Sequence, residues 1–172
     1  MSNKSDSLRD LLVRHYATHY ARVGEGYRMR RCPMRASIRR RYDRSFGYLL
    51  KDLPPASQVL DLGCGTGQLL FWLKQYSNIS PIGVDINPQE VEDAKHLVPD
   101  VPVYCADGHM FLSQNENTFR GIFCFDVLEH LLDEELVLWM QAIRRALVPG
   151  GFFVAACPTL PICSPHITGT WI

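Results

Sequence analysis

A turn with glycine at every second position follows a short apolar stretch near the middle of the chain. It contains Gly63, Gly65 and Gly67, and Asp61 stands just before its first glycine. Glycines at a turn from a strand to a helix allow positive φ values and let a ligand touch the backbone where a Cβ atom would clash. The N–H groups and the dipole at the start of the next helix would face that ligand. The turn therefore predicts a site for a small polar cofactor.

The spacing of the glycines and the position of Asp61 indicate which kind of cofactor binds. A dinucleotide site uses the pattern Gly-x-Gly-x-x-Gly, which lets a pyrophosphate rest on the start of the helix. This chain has Gly-x-Gly-x-Gly instead. The Asp61 carboxylate beside the turn would repel a pyrophosphate but attract an ammonium group. The pattern favours a nucleoside that carries an amino acid over a nicotinamide cofactor.

Further carboxylates follow the other apolar stretches of the chain. Asp85 lies about 20 residues past the glycine turn, where it is placed to accept hydrogen bonds from both hydroxyls of a ribose. Asp107 and Gly108 follow the third apolar stretch, and Asp126 follows the fourth. Ligands of an open parallel sheet bind beyond the carboxyl ends of its strands, so we expect these residues to line one cleft.

Alternating strand and helix patterns from residue 57 onward must position these side chains. Such an alternation indicates βαβ units and a parallel sheet. We predict an α/β fold with a doubly wound, mostly parallel sheet and with helices after the first, second and fourth strands. The helix after the fourth strand is expected to face the core with Leu136, Met140, Ile143 and Leu147. The strands are expected at residues 58–62, 81–86, 101–105, 121–127 and 152–156.

The first 53 residues differ in charge from the rest of the chain. They hold 13 of the 18 Lys and Arg residues but only 5 of the 18 Asp and Glu residues. We expect residues 1–53 to form a basic helical cap, with helices at 7–20 and from about residue 33, docked on a core at residues 54–172. The second helix has an apolar stripe, which consists of Met34, Ile38, Tyr42, Phe46 and Leu49. The arginines of residues 28–44 either pair with the acidic core or bind anions, such as nucleic acid, a phosphorylated substrate or membrane headgroups.

Length and composition fit one globular domain. The 172 residues are 47% hydrophobic and 21% charged, which is enough to bury a continuous core. No apolar run approaches the roughly 18–20 residues that a membrane span needs, and the start of the chain lacks the apolar segment of a signal peptide. We expect a soluble, cytoplasmic protein. Its six cysteines form no Cys-x-x-Cys pair, and we interpret them as reduced, mostly buried thiols.

The ordered motifs resemble those of the class I S-adenosylmethionine-dependent methyltransferases, of the type 11/12-like kind. The resemblance covers about residues 54–158, and it implies a Rossmann-like core. The motifs that carry it, in the order and spacing of that family, are VLDLGCGTG at 59–67, IGVDIN at 82–87, CADG at 105–108, FDVLEHL at 125–131 and LVPGGFFVAACP at 147–158.

The resemblance implies that S-adenosylmethionine is the cofactor. The three glycines of the turn would surround its methionine part, and Asp61 would help to hold its amine. Asp85 would hold the ribose and Asp107 the adenine amino group. The complete set of expected cofactor-binding residues is Asp61, Gly63, Cys64, Gly65, Gly67, Asp85, Ile86, Asp107, Gly108 and Asp126.

Glu129 and His130 follow the fourth strand closely and are the candidates for catalysis. Methyl transfer is an in-line displacement, so positioning alone can contribute up to about 7–11 kcal/mol. If the acceptor is a hydroxyl, a general base adds about 10²–10⁴-fold. We predict His130 as this base, and the alternative is a histidine that only caps the next helix or shapes the pocket.

The set Asp126-x-x-Glu129-His130 is also similar to the metal site of the small-RNA 3′-terminal 2′-O-methyltransferases. Those enzymes use Glu-x-x-Glu-His with a distant histidine. Here the first position is Asp126, and the only histidine further along is His166. The same Leu-Glu-His triplet occurs in metal-free methyltransferases, so we predict no metal.

Members of the family normally continue past the fifth strand with a helix and two more strands, whereas only residues 157–172 follow it here. We expect a sheet truncated at this edge: the chain is a fragment, forms a homodimer across the edge, or covers the edge with its N-terminal segment. The residues after strand five are similar to the corresponding stretch of methyltransferases from polysaccharide and small-metabolite clusters.

The main hypothesis for the function is O-methylation of a small molecule or glycan. The alternatives are an RNA methyltransferase that uses the arginine-rich helix and a non-catalytic methyltransferase-like binding module.

Overall fold

The computed structural model describes residues 34–156 of the chain. The helix predicted at 7–20, the basic residues before Met34 and the segment after Ala156 lie outside the described residues. Helices and strands alternate over the described part. They are α1 (Ala36–Lys51), β1 (Ser57–Leu62), α2 (Gln68–Leu73), β2 (Ile79–Asp85), α3 (Pro88–Leu97), β3 (Val103–Cys105), α4 (Gly108–Ser113), β4 (Phe119–Phe125), a 3-10 turn (Leu128–His130), α5 (Asp133–Ala146) and β5 (Leu147–Ala156).

The five strands form one parallel sheet with the order β3-β2-β1-β4-β5. This arrangement confirms the predicted α/β fold. After β1 the chain builds outward through β2 and β3, and it then returns to the other side of β1 with β4. The carboxyl ends of β1 and β4 therefore meet at the point where the winding direction reverses, which is where ligands bind in such sheets.

The two faces of the sheet are covered by different helices. Helices α1, α2 and α3 pack on one face, where Trp72, Leu70 and Phe123 are fully buried. Helices α4 and α5 pack on the other face around Leu60 and Ile122. Covering both faces explains why apolar residues of the central strands β1 and β4 are buried on both sides of the sheet. No helix in the described part of the chain is long and apolar enough to cross a membrane.

Helix α1 is docked on the core by an apolar stripe and by polar contacts. The indole Nε1 of Trp72 donates a 2.8 Å hydrogen bond to Asp43 Oδ1, and the Tyr76 hydroxyl donates to the same oxygen at 3.2 Å. The Asn78 amide donates to the carbonyl oxygen of Leu50 at 2.9 Å. The predicted stripe therefore faces the core, where it packs through Met34, Ile38, Tyr42, Phe46 and Leu49.

Several elements differ from the sequence prediction. In α5, Met140 was expected on the inner face but is 40% exposed, and Trp139, Ala142 and Ala146 face the core instead. The short helix α4 was not predicted. Strand β4 ends two residues early, because Asp126 adopts a φ of +58° and cannot continue an extended strand. Strand β5 starts at Leu147, with an irregular register before Phe152.

Candidate active site

The glycine turn between β1 and α2 is fastened to β2 by its backbone. The N–H groups of Gly63 and Cys64 both donate to the carbonyl oxygen of Val84, at 2.8 Å and 3.0 Å. Gly63, Gly65 and Gly67 have φ values of +78°, +49° and +81°, a region that other residues occupy at a cost. A Cβ atom on Gly63 would clash with the Val127 side chain. The turn is therefore tight, and glycine is required by its backbone geometry.

Asp85 ties the glycine turn to the start of α3. Its Oδ2 accepts a 2.8 Å hydrogen bond from the Gly65 N–H, and its Oδ1 accepts a 2.8 Å hydrogen bond from the Asn87 N–H. Burial raises the pKa of the Asp85 carboxyl, and the N–H donors of Asn87, Gly65 and Ile86 oppose that shift. Asp85 thus has a structural function in addition to the ribose contact that we expect. The two hydrogen bonds fix the carboxylate at the end of β2.

Asp61 is the most unusual carboxylate of this region. It is only 3% exposed, and its Oδ2 atom has no hydrogen-bond partner among the described residues. Burial, and secondly the nearby Asp85 carboxylate, raise the pKa of Asp61 from 3.8 to about 8. A buried carboxylate oxygen without a partner is costly. A cationic group placed beside Asp61 would remove this cost.

These residues open into one cleft of about 410 Å³ at the carboxyl ends of the strands. No lysine or arginine within residues 34–156 lines the cleft, and His130 is the one lining residue there with a basic side chain. The cleft therefore attracts cations and repels phosphates. The carboxylates that line it are Asp61, Asp85, Glu90, Asp107, Asp126 and Glu135.

A second, wider depression of about 570 Å³ lies at the other end of the sheet, where the loop before β4 meets the end of α5. Arg145 and Glu116 form an ion pair of 3.5 Å in its wall, and both side chains are exposed. It contains none of the predicted site residues. Its larger volume reflects an open surface, so the 410 Å³ cleft is the candidate active site.

The β3 end of the cleft is closely packed. Asp107 Oδ1 accepts a 2.9 Å hydrogen bond from the Met110 N–H and thereby caps α4. A Cβ atom on Gly108 would lie 2.5 Å from Trp139 Cη2 and 2.9 Å from Leu62 Cδ1, so only glycine lets the indole ring pack here. Trp139 lines the cleft. Sequence reasoning missed it, since an aromatic residue of a surface helix carries no signal for a ligand.

The β4 end of the cleft contains the predicted catalytic residues. Asp126 lies in the left-handed region of backbone conformation, which is uncommon for residues other than glycine. Partial burial and then Glu129 raise the pKa of the Asp126 carboxyl, while His130 lowers it. His130 is exposed and lines the cleft, but Glu129 does not. His130 therefore lies in the wall of the cleft, whereas Glu129 lies outside it, and a catalytic function of either residue stays a prediction.

The other predicted cofactor-binding residues also differ in whether they line the cleft. Cys64 and Ile86 line the cleft, whereas Gly67 does not. A Cβ atom on Gly67 would lie 3.1 Å from the Ala94 Cβ, so this glycine allows α2 and α3 to pack closely. The Cys64 thiol is buried. Burial, followed by the charges of Asp61 and Asp85, raises the pKa of the thiol and keeps it protonated and unreactive.

Tyr42 of α1 also lines the cleft. The sequence assigned this residue only to the apolar stripe that docks α1. A tyrosine in such a stripe is an ambiguous signal, because its ring can pack in the core while its hydroxyl reaches a polar site. The contact of Tyr42 with the cleft depends on how α1 sits on the sheet, and the sequence alone did not specify this.

A family model described as a methyltransferase domain matches residues 59–151 of the chain. The chain belongs to this methyltransferase-domain family. The match begins in β1 and ends in β5, so it includes the glycine turn and the residues that follow β2, β3 and β4. The resemblance found in the sequence motifs is therefore confirmed.

Two curated methyltransferases illustrate the relationship. The 2-methyl-6-phytyl-1,4-hydroquinone methyltransferase of Synechocystis sp. is 32% identical over 109 residues, which are 62% of this chain and 34% of that protein. The O-methyltransferase cnsE of Penicillium expansum is 30% identical over 129 residues, which are 66% of this chain and 46% of that protein. The chain spans about a third to a half of the length of the curated relatives that it matches.

Solved structures of methyltransferases and related proteins share the fold. A SAM-dependent methyltransferase from Archaeoglobus fulgidus superposes with a TM-score of 0.60 at 24% identity, over 71% of this chain and 52% of that one. The PH0226 protein from Pyrococcus horikoshii OT3 superposes with a TM-score of 0.59 at 28% identity, over 70% of this chain and 58% of that one. The methyltransferase domain thus has the expected Rossmann-like architecture.

The cofactor of this methyltransferase domain is S-adenosylmethionine. The residues of the cleft fit this group. Asp61 offers a buried carboxylate oxygen that lacks a partner, which suits an ammonium group. Gly65 exposes its backbone to the cleft, and the absence of lysine and arginine from the described lining suits a ligand without phosphate groups.

Replacing Gly65 by alanine tests whether the cofactor lies on the glycine turn. A Cβ atom at Gly65 would meet only Glu90 Oε2, at 3.6 Å, so the protein itself leaves room for it. We expect Gly65→Ala to weaken S-adenosylhomocysteine binding in calorimetry by about 10- to 100-fold, the effect of forcing a methyl group into a filled site.

Gly150 provides the matched control for this substitution. It has a φ of +73°, its nearest neighbour for a Cβ atom is Arg120 Nη1 at 3.9 Å, and it lies outside the cleft. Gly150→Ala therefore carries the same backbone cost, about 1–2 kcal/mol, without touching a ligand. Equal losses of affinity in the two variants would contradict a cofactor seated on Gly65.

The raised pKa of Asp61 makes cofactor binding depend on pH. Below about pH 8 Asp61 is mostly protonated and neutral, and binding an ammonium group requires its ionised form. We expect the affinity for S-adenosylhomocysteine to rise between about pH 6 and pH 8, by at most tenfold per pH unit, and then to level off. Calorimetry across this range measures the change. Asp61→Asn should bind weakly with a flat profile, and an unchanged slope in this variant would assign the titration to another group.

Proposed function

We propose that this protein catalyses the transfer of a methyl group from S-adenosylmethionine to a hydroxyl oxygen of a small molecule or glycan. The observation that carries the proposal is the pairing, in one cleft, of a buried carboxylate without a partner at Asp61 with an exposed histidine at His130. Asp61 binds the ammonium group of the cofactor, and His130 is a base that an acceptor can reach. The cited Penicillium relative is an O-methyltransferase, which supports an oxygen acceptor.

Residues at the ends of successive strands each contact a different part of the cofactor. Asp61 and the glycine turn hold the methionine part between β1 and β4. Asp85 holds the ribose at the end of β2 with the lone pairs that remain beside its two backbone hydrogen bonds. Asp107 holds the adenine amino group with the oxygen that does not cap α4. S-adenosylmethionine supplies an electrophilic methyl group on a positively charged sulfur.

His130 accepts the proton that the acceptor hydroxyl releases. It is exposed at the cleft wall, so an acceptor can approach it without displacing the core. It also lies near Asp126, since His130 lowers the pKa of that carboxyl. Asp126 follows β4 and lines the same cleft, where it borders the methionine part of the cofactor.

One observation favours a second candidate, an RNA methyltransferase. Five arginines of α1 and the residue before it are exposed, and Arg39 alone among them forms a salt bridge within the described residues, with Asp43 at 3.9 Å. Within residues 34–156 the structure shows no ion pair between these arginines and the core, so this surface suits an anionic partner. These arginines are Arg35, Arg39, Arg40, Arg41 and Arg44. A non-catalytic role, a homodimer across the β5 edge and a cytoplasmic location stay predictions.

Replacing His130 by glutamine tests its proposed function. We expect His130→Gln to lower kcat by about 10²–10⁴-fold, as for the loss of a general base, with little change in S-adenosylhomocysteine affinity. The measurement is S-adenosylhomocysteine formation with a panel of phenolic and sugar acceptors. His96→Gln is the control, because His96 is exposed on α3 and lies outside the cleft. Wild-type turnover by His130→Gln on an accepted substrate would exclude His130 as the base.

A further inference from the structure

The amino-acid end of the cofactor carries a positive ammonium group and a negative α-carboxylate. The residues assigned above offer a partner for the ammonium group only. Asp61 suits the ammonium group. The α-carboxylate needs hydrogen-bond donors, yet the described cleft wall contains six carboxylates and no lysine or arginine. A carboxylate bound among these groups without a strong donor would be repelled. A neutral donor at the Asp61 end of the cleft would meet this need, and this reasoning rests on the proposed function.

Tyr42 lies at this end of the cleft. Its ring contacts Phe125, the last residue of β4, with centroids 6.1 Å apart, and it meets Trp72 edge to face at 5.5 Å. These contacts hold the ring at the carboxyl end of β4, next to β1, whose last two residues are Asp61 and Leu62. The residue lines the cleft. Its position is therefore set by packing on two sides, as a ligand-binding group requires.

The hydroxyl of Tyr42 remains a donor at all physiological pH values. Burial raises the pKa of Tyr42, Asp61 and Asp126 raise it further, and Arg41 opposes them. Tyr42, Asp61 and Asp126 line the same cleft. A phenol that stays protonated donates one hydrogen bond. A bond to a carboxylate is among the stronger hydrogen bonds of proteins.

Docking of α1 does not explain the polar end of this side chain. The polar contacts of α1 with α2 and the residues after it are made by Asp43, which accepts hydrogen bonds from Trp72 and Tyr76, and by the Leu50 carbonyl oxygen, which accepts one from Asn78. A phenylalanine at position 42 would preserve the ring contacts of the apolar stripe. Packing of α1 therefore explains the ring of Tyr42 but not its hydroxyl.

We propose that the Tyr42 hydroxyl donates a hydrogen bond to the α-carboxylate of the methionine part of the cofactor, while Asp61 binds the ammonium group. Each charge of the amino acid then has one partner. Helix α1 supplies one of the two, so the basic N-terminal segment forms part of the cofactor site.

A pair of ligands that differ by one carboxylate tests this proposal. S-adenosylmethionine has the α-carboxylate, and decarboxylated S-adenosylmethionine lacks it but keeps the amine and the sulfonium. We expect Tyr42→Phe to weaken binding of S-adenosylmethionine by about 10- to 100-fold, the range for a hydrogen bond to a charged group. Binding of the decarboxylated ligand should change by less than about twofold, because no partner of the hydroxyl is present.

Two further variants control for indirect effects. Tyr76→Phe removes another hydroxyl that contacts α1 but lies outside the cleft, so it should leave the affinities for both ligands unchanged. Asp61→Asn should weaken both ligands, because both carry the ammonium group. Thermal melting of each variant verifies that it is folded at the temperature of the calorimetry.

Three outcomes would overturn the proposal. If Tyr42→Phe weakens both ligands equally, the hydroxyl shapes the pocket and does not recognise the carboxylate. If it weakens neither ligand, Tyr42 only packs α1 against the sheet. If the wild-type protein binds neither ligand, the proposed function itself fails. This last result differs from the other two, because it is visible before any variant is made.

Discussion

The burial of the Asp61 carboxylate beside Asp85 is the constraint on which the whole site depends. A carboxylate with an oxygen that has no partner in the described structure is destabilising unless it is protonated or meets a cation. The fold keeps this group at the carboxyl end of its central strand, where the winding of the sheet reverses. The cost is compatible with folding because burial and the charge of Asp85 raise the pKa of Asp61, so the carboxyl group is neutral until a cation arrives.

The surrounding structure buries the Asp61 carboxylate but leaves it in the wall of the cleft. The glycine turn is bonded to β2 through Val84 and to Asp85 through Gly65, so its backbone is held in the cleft. Helix α1 covers the same region with Tyr42. The cleft contains many carboxylates, and no lysine or arginine of residues 34–156 lines it. It therefore selects ligands by charge as well as by shape.

Much of this arrangement could be predicted from the sequence, because it follows from local patterns. Strand periodicity and turn chemistry predicted the parallel sheet, and the glycine spacing with Asp61 predicted the kind of cofactor. Other features depend on packing between distant elements. Trp139 reaches the cleft only because Gly108 leaves room for its ring. Gly67 fits its motif, but the structure uses it for the contact of α2 with α3. Tyr42 reaches the cleft only because α1 docks on the sheet.

The central claim is that Asp61 is kept neutral by burial until it binds the ammonium group of the cofactor. Carbon-13 NMR of labelled aspartate carboxyl carbons measures this directly, with the Asp61 signal assigned by its loss in Asp61→Asn. The account predicts that the pKa of Asp61 is about 8 in the free protein and falls by about 1–3 on saturation with S-adenosylhomocysteine. A pKa near 3.8 in the free protein, or one that does not move when the ligand binds, would contradict it.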